Sequence, residues 1–263
     1  MRESALQVEG ITHVYVSERG ASLALDDISF AIRAGEFVSL VGPSGCGKTT
    51  LLSIMAGLIV PTRGTVVFPE TGSSPGASSR IGYMLQQDYL FPWRTILDNV
   101  LLGLELRGRV AEERREWVLQ LLDELGLLQV KDRYPHQLSG GMRQRAALVR
   151  TLATEPDLLL LDEPFSALDY QTRLQLEELI LDILRMHNKT ALLVTHDIAE
   201  AVAMSDRVLV MERNPGRIRH ELSVPDAVRL VSPIEARETR GFHSLFHEIW
   251  RELEDPDSKE GRT

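Results

Sequence analysis

The sequence of 263 residues predicts an α/β domain with a parallel sheet, and three observations lead to this prediction. After residue 150, short apolar runs alternate with a longer amphipathic run, which is typical of parallel strands joined by helices. A glycine-rich loop at residues 42–47 follows one apolar run and precedes a helical run. Residues 158–161 are leucines followed by two carboxylates, which suits a parallel strand covered on both faces.

The local patterns place the elements along the chain. Residues 6–35 predict an N-terminal antiparallel β region. Further strands are expected at 37–41, 81–85, 158–161, 191–195 and 207–211, and helices at 48–58, 111–125 and 170–186. The helix at 111–125 is amphipathic, because apolar side chains recur at helical spacing: Val118, Leu121, Leu122 and Leu125. Residues 69–79 are rich in Gly, Ser and Pro and predict a surface loop.

We expect a single domain over residues 1–263. Its core comprises residues 6–93 and 150–220, a helical subdomain is inserted at 94–149, and a helical tail follows at 221–263. The tail carries an apolar stripe at helical spacing: Phe242, Leu245, Phe246, Ile249, Trp250 and Leu253. This stripe favours a helix packed on the core, and a contact with a partner subunit is the alternative.

The glycine-rich loop is the most specific motif of the chain. It fits G-x-x-x-x-G-K-[ST] with Gly42, Pro43, Ser44, Gly45, Cys46, Gly47, Lys48, Thr49 and Thr50. Between a strand and a helix N-terminus, backbone N–H groups and the helix dipole point at phosphate oxygens. Lys48 then reaches the outer phosphates, and the Thr49 hydroxyl takes one Mg²⁺ position. A chance glycine turn is the alternative, and the flanking strand and helix disfavour it. The motif predicts binding of a nucleoside triphosphate.

Two further segments suggest chemistry on that triphosphate. Asp162 and Glu163 end the leucine strand, so Asp162 would hold Mg²⁺ and Glu163 would orient or deprotonate the attacking water. A solvated turn is the alternative, and it would be favoured if the glycine-rich loop were lacking. Ser139, Gly140 and Gly141 open another helix and leave backbone donors uncovered, which makes a second candidate anion site. An ordinary helix cap is the alternative there.

Composition and charge narrow the class of protein. The chain has 29 Lys plus Arg against 38 Asp plus Glu, a net charge of −9, which gives no support for a nucleic-acid groove. Its single cysteine, Cys46, fits a reducing compartment, and a thiol at a helix start predicts a lowered pKa. No run approaches the roughly 18 apolar residues of a membrane span, and the N-terminus carries no apolar signal core. We therefore expect a subunit without a pore of its own.

The order and spacing of the motifs from about residue 6 to residue 215 resemble the ATP-binding subunit of an ABC transporter. The segments that carry the resemblance are the glycine-rich loop, Gln86, the signature segment at residues 138–145, the strand with Asp162 and Glu163, residues 166–169 and residues 194–197. Because the family most often has Gln at the position of Met142, we expect altered contacts at the edge of the nucleotide without loss of activity.

The resemblance implies roles for individual residues. ATP would lie between two copies of the chain, so that Ser139, Gly140 and Gly141 close on the ATP held by the partner's Lys48. His196 would contact the γ-phosphate, and Asp169 would lie across the interface near the partner's loop. Gln86 would contact Mg²⁺ and the attacking water, with Gln87 as the alternative. Tyr15 would stack on adenine, unless it is an exposed strand tyrosine.

The resemblance also implies a function. We expect an ATPase that uses ATP and Mg²⁺ to power a membrane importer, as a peripheral subunit on the cytoplasmic face of the membrane. Its partners would be a second copy of itself, integral-membrane permease subunits and, through them, a solute-binding protein.

Residues 86–100 resemble the nitrate/sulfonate/taurine importer group. In the family this region receives a helix of the permease, so Phe91, Pro92 and Trp93 would form a docking groove; the alternative is that Trp93 packs the subdomain onto the core.

Other readings stay open at this point. A soluble ABC-type ATPase without a permease would be expected to have tandem cassettes or a long coiled coil, and neither is visible. A nucleotide-regulated scaffold without turnover is disfavoured by the presence of both Asp162 and Glu163. An exporter or a lipid-trafficking ATPase also remains compatible with the motifs.

Overall fold

The computed structural model of the chain describes residues 4–18, 20–68, 81–108, 111–166 and 168–254. The N-terminal region is a three-stranded antiparallel sheet in the order β2-β1-β4, formed by β1 (Ser4–Ser17), β2 (Gly20–Arg33) and β4 (Arg63–Val67). Apolar residues of β1 and β2 alternate inward, and those that face the core are fully buried: Leu6, Val8, Ile11, Ile28 and Ile32. The predicted antiparallel region is confirmed.

A six-stranded sheet forms the centre of the molecule. Its order is β5-β6-β7-β3-β8-β9, and the strands are β3 (Phe37–Val41), β5 (Ile81–Met84), β6 (Leu158–Asp162), β7 (Thr190–Thr195), β8 (Arg207–Glu212) and β9 (Arg217–Ser223). The first five strands are parallel, and β9 is antiparallel to β8. Every residue of β3, β6 and β7 is buried, as expected for strands covered on both faces.

Nine α-helices lie within the described part of the chain. They are α1 (Lys48–Met55), α2 (Ile96–Leu106), α3 (Glu112–Glu124), α4 (Gly140–Leu152), α5 (Tyr170–Met186), α6 (Ile198–Met204), α7 (Asp226–Arg229), α8 (Pro233–Ala236) and α9 (Arg240–Glu254). Helices α2 to α5 share one apolar core with one face of the central sheet. Helix α1 and the other face of the sheet pack against the N-terminal strands. No helix among the described residues is long and apolar enough to cross a membrane.

The tail packs on the core, as the apolar stripe predicts. Phe242, Leu245 and Ile249 of α9 are buried in a cluster that also contains residues of α6 and β8. Phe246 and Leu253 are partly buried against the same cluster, and Trp250 is half exposed. A stripe whose centre is buried and whose edge is exposed is typical of a surface helix on a globular core.

The observed elements agree closely with the predicted ones. The predicted strands match to within one residue, and the helix at 170–186 has the predicted bounds. The helix expected at 48–58 ends earlier, at Met55. The four apolar residues expected on the inward face at 111–125 are buried. The proposed subdomain boundary at 149/150 falls inside α4, and the division of the chain stays a prediction. The predicted loop at 69–79 lies outside the described residues.

Candidate nucleotide site

The glycine-rich loop lies between the end of β3 and the start of α1. Gly45 and Gly47 adopt positive φ angles of 79° and 98°, which disfavour any residue with a Cβ. A Cβ at Gly47 would lie 2.5 Å from Leu25 Cδ2, so packing requires this glycine as well. Gly47 caps α1 without a side-chain hydrogen bond. The N-cap residue therefore offers no side-chain acceptor to the first N–H groups of the helix, as a phosphate-binding helix N-terminus needs.

The Lys48 ammonium lies in this loop and is bound by backbone carbonyls of the loop itself. Its Nζ donates to Gly42 O at 2.7 Å and to Pro43 O at 3.1 Å, and the residue is buried. These two backbone carbonyl oxygens hold the Lys48 ammonium at the position where the outer phosphates of a nucleotide would bind. The phosphates would bring full negative charge to that position. The loop thus positions a cation for anion binding within a single chain.

Cys46 corrects one expectation. The thiol is only 1% exposed, and burial raises its pKa, although the neighbouring Lys48 ammonium acts in the opposite direction. The predicted lowering by the helix start is wrong because desolvation of the thiolate outweighs the charge and hydrogen bonds of Lys48 that favour it. Cys46 Sγ would also lie 2.8 Å from a Cβ at Gly42. The cysteine is therefore a packing residue beneath the loop.

Asp162 and Thr49 lie together below the loop. Burial raises the pKa of Asp162, and a hydrogen bond with the Thr49 side chain opposes the shift. Tyr83 Oη donates to Asp162 Oδ2 at 3.4 Å, and burial together with this carboxylate raises the pKa of Tyr83 to about 12. A buried carboxylate beside a hydroxyl is the kind of oxygen donor set that Mg²⁺ uses with phosphates and water. These residues fit the predicted Mg²⁺ position.

Among the described residues, no group of three or more His, Cys, Asp and Glu side chains could hold a metal ion. A magnesium ion at a phosphate site usually takes one or two protein ligands, and its other ligands are phosphate oxygens and water. Asp162 and Thr49 would therefore suffice as the protein ligands of a Mg²⁺ ion at this site.

Glu163 occupies the point where the predicted catalytic side chains meet. Its backbone is in the left-handed region at φ 46°, and its N–H donates to Val194 O at 2.9 Å. Its Oε2 accepts from Gln86 Nε2 at 3.0 Å, and its Oε1 lies 3.3 Å from His196 Nδ1. A strained backbone at a polar junction of this kind is characteristic of functional sites.

The contact with Glu163 supports the choice of Gln86 over Gln87. Gln86 follows β5 directly and reaches a carboxylate 77 positions further along the chain. The sequence analysis missed Gln144, which is buried in α4 and donates to Gln86 O at 3.2 Å and to Pro164 O at 2.8 Å. One amide of the signature helix thereby holds the backbone on both sides of the Glu163 carboxylate. A polar residue at a position of the helix that faces the core was the available signal.

Tyr15 lines an open cleft of about 580 Å³ that the loop also lines. Its Oη is 3.2 Å from Thr50 Oγ1, and its ring meets that of His13 edge to face at 4.6 Å. Glu163 and His196 line the same cleft. The structure therefore places an exposed aromatic face, a phosphate-binding loop and a carboxylate along one opening.

The cleft also contains residues that sequence reasoning did not place there. Asn214 lines it together with Ser22, Leu23 and Ala24 of β2. Gly216 lies against the loop so closely that a Cβ would come within 2.1 Å of Cys46 O. Its N–H donates to Ala24 O at 3.0 Å. The turn at 214–216 thus supports the loop from below, and its Asn-Pro-Gly sequence predicts a turn but not this location.

The signature segment is separate from this cleft. Ser139 caps α4 by accepting from Met142 N at 3.3 Å, and Ser139 and Gly140 are exposed. Gly141 is buried, and a Cβ there would lie 2.7 Å from Thr172 Cγ2. None of these residues is among the described residues that line the cleft. Of the two glycines, only Gly140 leaves space above the helix start.

The comparisons with known proteins decide the family. A family model described as ABC transporter matches residues 25–166. The uncharacterized ABC transporter ATP-binding protein YtlC of Bacillus subtilis (strain 168) is 52% identical over 251 residues, which cover 95% of this chain and 96% of YtlC. The chain belongs to the ABC transporter family.

Two further relatives of this ABC protein carry more specific descriptions. The nitrate import ATP-binding protein NrtD of Synechocystis sp. (strain ATCC 27184 / PCC 6803 / Kazusa) is 43% identical, with 83% of this chain and 82% of NrtD covered. A solved dimeric structure of a post-hydrolysis state of the ATP-binding cassette MJ0796, bound to ADP and Pi, is 33% identical with a TM-score of 0.74. It covers 84% of this chain and 99% of that chain. The predicted ABC ATPase fold is confirmed.

Two residues of this ABC chain need separate comment. Met142, where the family most often has Gln, is partly buried and packs against the core of the helical region. Asp169 caps α5 by accepting from Thr172 N at 3.0 Å, and this hydrogen bonding lowers its pKa. Asp169 is exposed, so one carboxylate can cap its own helix and still face a second molecule.

Proposed function

We propose that this chain is the ATP-hydrolysing subunit that powers an ABC importer of a small solute. The observation that carries the proposal is the Glu163 carboxylate, which lies between Gln86 and His196 in the cleft that the phosphate-binding loop lines. A carboxylate at this point can orient water in line with a γ-phosphate and accept its proton.

The other side chains of the site contact the phosphates, the adenine and Mg²⁺. Lys48, Ser44 and the N–H groups of residues 42–50 hold the phosphates, and Tyr15 offers its exposed ring to adenine. His196 contacts the transferred phosphoryl group. Asp162, Thr49 and Gln86 would hold Mg²⁺, which would neutralise phosphate charge when bound.

The exposed start of α4 argues for a second copy in the reaction. Ser139 and Gly140 present helix N-terminal donors, and Gly141 fixes that helix against α5. We propose that these residues close on the ATP held by the partner's Lys48, with Asp169 beside that loop. Dimerisation on ATP and separation after hydrolysis then supply the movement that a transporter needs.

The hydrolysis proposal is tested with Glu163→Gln. The change keeps a hydrogen-bonding side chain but removes the base, so phosphate release should fall by roughly 100-fold or more while MgATP binding persists. Glu116→Gln, an exposed position on α3, is the matched control and should hydrolyse ATP normally. Near-normal turnover by Glu163→Gln would assign the base to another residue.

The importer proposal concerns the surface around Phe91 and Trp93. Trp93 is 70% exposed, and its ring centroid lies 5.2 Å from that of Phe91. This exposure does not support the alternative in which Trp93 packs the subdomain onto the core. An exposed pair of aromatic rings is costly in water and is typical of interface anchors. We propose that it receives the permease and that the chain is a peripheral subunit on the cytoplasmic face of the membrane.

The solute class follows from the group that residues 86–100 resemble. We propose a nitrate-, sulfonate- or taurine-like compound, delivered to the permease by a separate solute-binding protein, and the name of NrtD supports this class. Trp93→Ala tests the coupling. The isolated variant should keep its melting temperature and basal hydrolysis, while assembly with the permease and solute-stimulated hydrolysis should fall. A fully coupled variant of normal stability would remove the proposed docking surface.

A further inference from the structure

A cluster of charged side chains, two of them buried carboxylates, lies behind the turn that carries His196. Three carboxylates, Glu177, Asp197 and Glu200, share two guanidinium groups, Arg173 and Arg237. Glu177 and Glu200 are buried, and so is the Nε of Arg173, which has no hydrogen-bond partner. Buried charges of this kind are stable only when they are paired, so each guanidinium has a defined partner.

Arg173 of α5 holds the turn. Its Nη1 donates to Asp197 Oδ2 at 3.0 Å and lies 3.4 Å from Glu200 Oε1. Asp197 follows His196 directly and caps α6 by accepting from Ala199 N at 2.8 Å. On the other side of His196, Thr195 Oγ1 donates to Glu200 Oε2 at 2.6 Å and accepts from Asp197 N at 2.9 Å. The turn at 195–197 is therefore fixed from both flanks by side chains of the cluster.

Arg237 brings the tail into the cluster. It follows α8, and its Nη2 donates to Glu177 Oε2 at 2.7 Å while its Nη1 donates to Pro233 O at 2.7 Å. The Glu177 side chain is 0% exposed and its Oε1 has no hydrogen-bond partner. Burial raises the pKa of Glu177, and the charges of Arg237 and then Arg173 oppose that shift. If Arg237 were lost, the remaining cation that faces Glu177 would be Arg173.

We propose that the carboxyl-terminal tail positions His196 through Arg237, which pairs with Glu177 and so leaves Arg173 free to hold the turn that carries the histidine. Arg237 is a positioning residue, since it acts on the phosphate site through Glu177, Arg173 and Asp197. The inference rests on the proposed function, in which His196 takes part in hydrolysis.

The charge balance of the cluster gives the proposal a pH signature. Burial is the main cause that raises the pKa of Glu200 to about 7, with Asp197 and Glu177 adding to the shift. In an Arg237→Gln variant, Glu177 is buried without its main partner and stays protonated at low pH. As pH rises, Glu177 ionises and competes with Asp197 and Glu200 for Arg173. The loss of activity relative to the unaltered chain must therefore grow with pH.

The experiment measures kcat and KM for MgATP between about pH 6 and about pH 9, a range that spans the titration of such a group. For Arg237→Gln we expect kcat to fall on the order of tenfold at the alkaline end, with KM nearly unchanged and a smaller loss at the acid end. The double variant Glu177→Gln, Arg237→Gln should restore both kcat and its pH profile, because Glu177 no longer competes with Asp197 and Glu200 for Arg173. Arg251→Gln, an exposed arginine of α9, is the matched control and should behave as the unaltered chain.

Two results would overturn the inference. One is an Arg237→Gln variant whose kcat follows the unaltered chain at every pH. The other is a loss of kcat that is equal at every pH, or that the double variant does not restore, because a purely structural role predicts that pattern. Should Arg237→Gln fail to fold, Arg237→Lys takes its place. A lysine ammonium cannot contact both Glu177 and Pro233 O as the guanidinium does. Arg237→Lys should therefore show a smaller loss of kcat that also grows with pH. The absence of that loss would overturn the inference.

His196→Ala, measured in parallel, separates this inference from the proposed function. An inactive His196→Ala beside an unaffected Arg237→Gln would overturn the inference alone. Normal hydrolysis by His196→Ala would remove the role given to His196 and with it the inference, but it would leave the proposed ATPase activity standing. Absence of hydrolysis by the unaltered chain would overturn the proposed function itself.

Discussion

The phosphate-binding loop and the signature segment are both helix N-termini, but they are satisfied in different ways. In the loop, Lys48 is buried and already bound to the carbonyls of Gly42 and Pro43. At the start of α4, Ser139 and Gly140 are exposed, and the described contact of the serine hydroxyl is with its own helix. The first is complete within one chain, whereas the second presents exposed donors to which a second molecule has access. This difference is the physical argument for a site shared by two copies.

The largest expected effect comes from removing Lys48, the cation of the phosphate-binding loop. Lys48→Ala deletes the ammonium that faces the phosphates, and a charge-assisted hydrogen bond of this kind contributes about 1.5–3 kcal/mol, or roughly 10- to 100-fold in affinity. We expect MgATP binding by titration calorimetry to weaken by that factor and hydrolysis to be lost. Binding as tight as that of the unaltered chain would mean that the loop does not hold the phosphates as described.

The glycines of the signature segment sharpen the comparison. Because a Cβ at Gly141 would lie 2.7 Å from Thr172 Cγ2, Gly141→Ala should overpack the contact between α4 and α5 and destabilise the chain by about 1–3 kcal/mol. At Gly140 the nearest atom is Arg143 Nη2 at 4.0 Å, so Gly140→Ala should leave the melting temperature unchanged. Thermal unfolding of the two variants side by side measures this. Equal melting temperatures would contradict the division of roles between the two glycines.

The smallest effect concerns thiol reactivity. Cys46 is buried with a raised pKa, so iodoacetamide should label it slowly, and MgATP should slow the reaction further. A chain with Cys46→Ser and Ser139→Cys places the thiol at an exposed helix cap. We expect it to react faster, because an exposed thiol is accessible to the reagent and its thiolate is not desolvated by burial. Mass spectrometry of the labelled chains gives both rates, and equal rates would argue against the difference in burial between the two helix starts.

Much of the fold could be predicted because its signals are local. Contiguous residues predict the strand at 37–41, the loop after it and the helix at 170–186. The signals are an apolar run, obligatory glycines and helical spacing, respectively. Not predicted were β4, whose side chains are mostly exposed, α6, which is short, and β9, most of whose side chains face solvent; such residues carry little periodicity. Pairing with β8 decides the place of β9 in the sheet, and a single strand does not encode that pairing.

The site was predictable to the same extent. Gln86, Glu163 and His196 belong to separate motifs, and the structure brings them within hydrogen-bonding distance of one another through Glu163. Gln144, Asn214 and Arg237 were missed because their partners are distant in sequence; Arg237 and Glu177 are 60 positions apart. The pKa of Cys46 was predicted in the wrong direction because a sequence shows a helix start but not the burial of the thiol.

The most direct test of the shared site is the mass of the Glu163→Gln chain in solution with and without MgATP, measured by light scattering after gel filtration. We expect a monomer without nucleotide and a dimer with it. A second change, Gly140→Gln, fills the open space at the start of α4 without touching the loop, so that chain should bind MgATP equally well and remain monomeric. A dimer that persists with Gly140→Gln, or a Glu163→Gln chain that binds MgATP and stays monomeric, would contradict the account of two half-sites that complete each other.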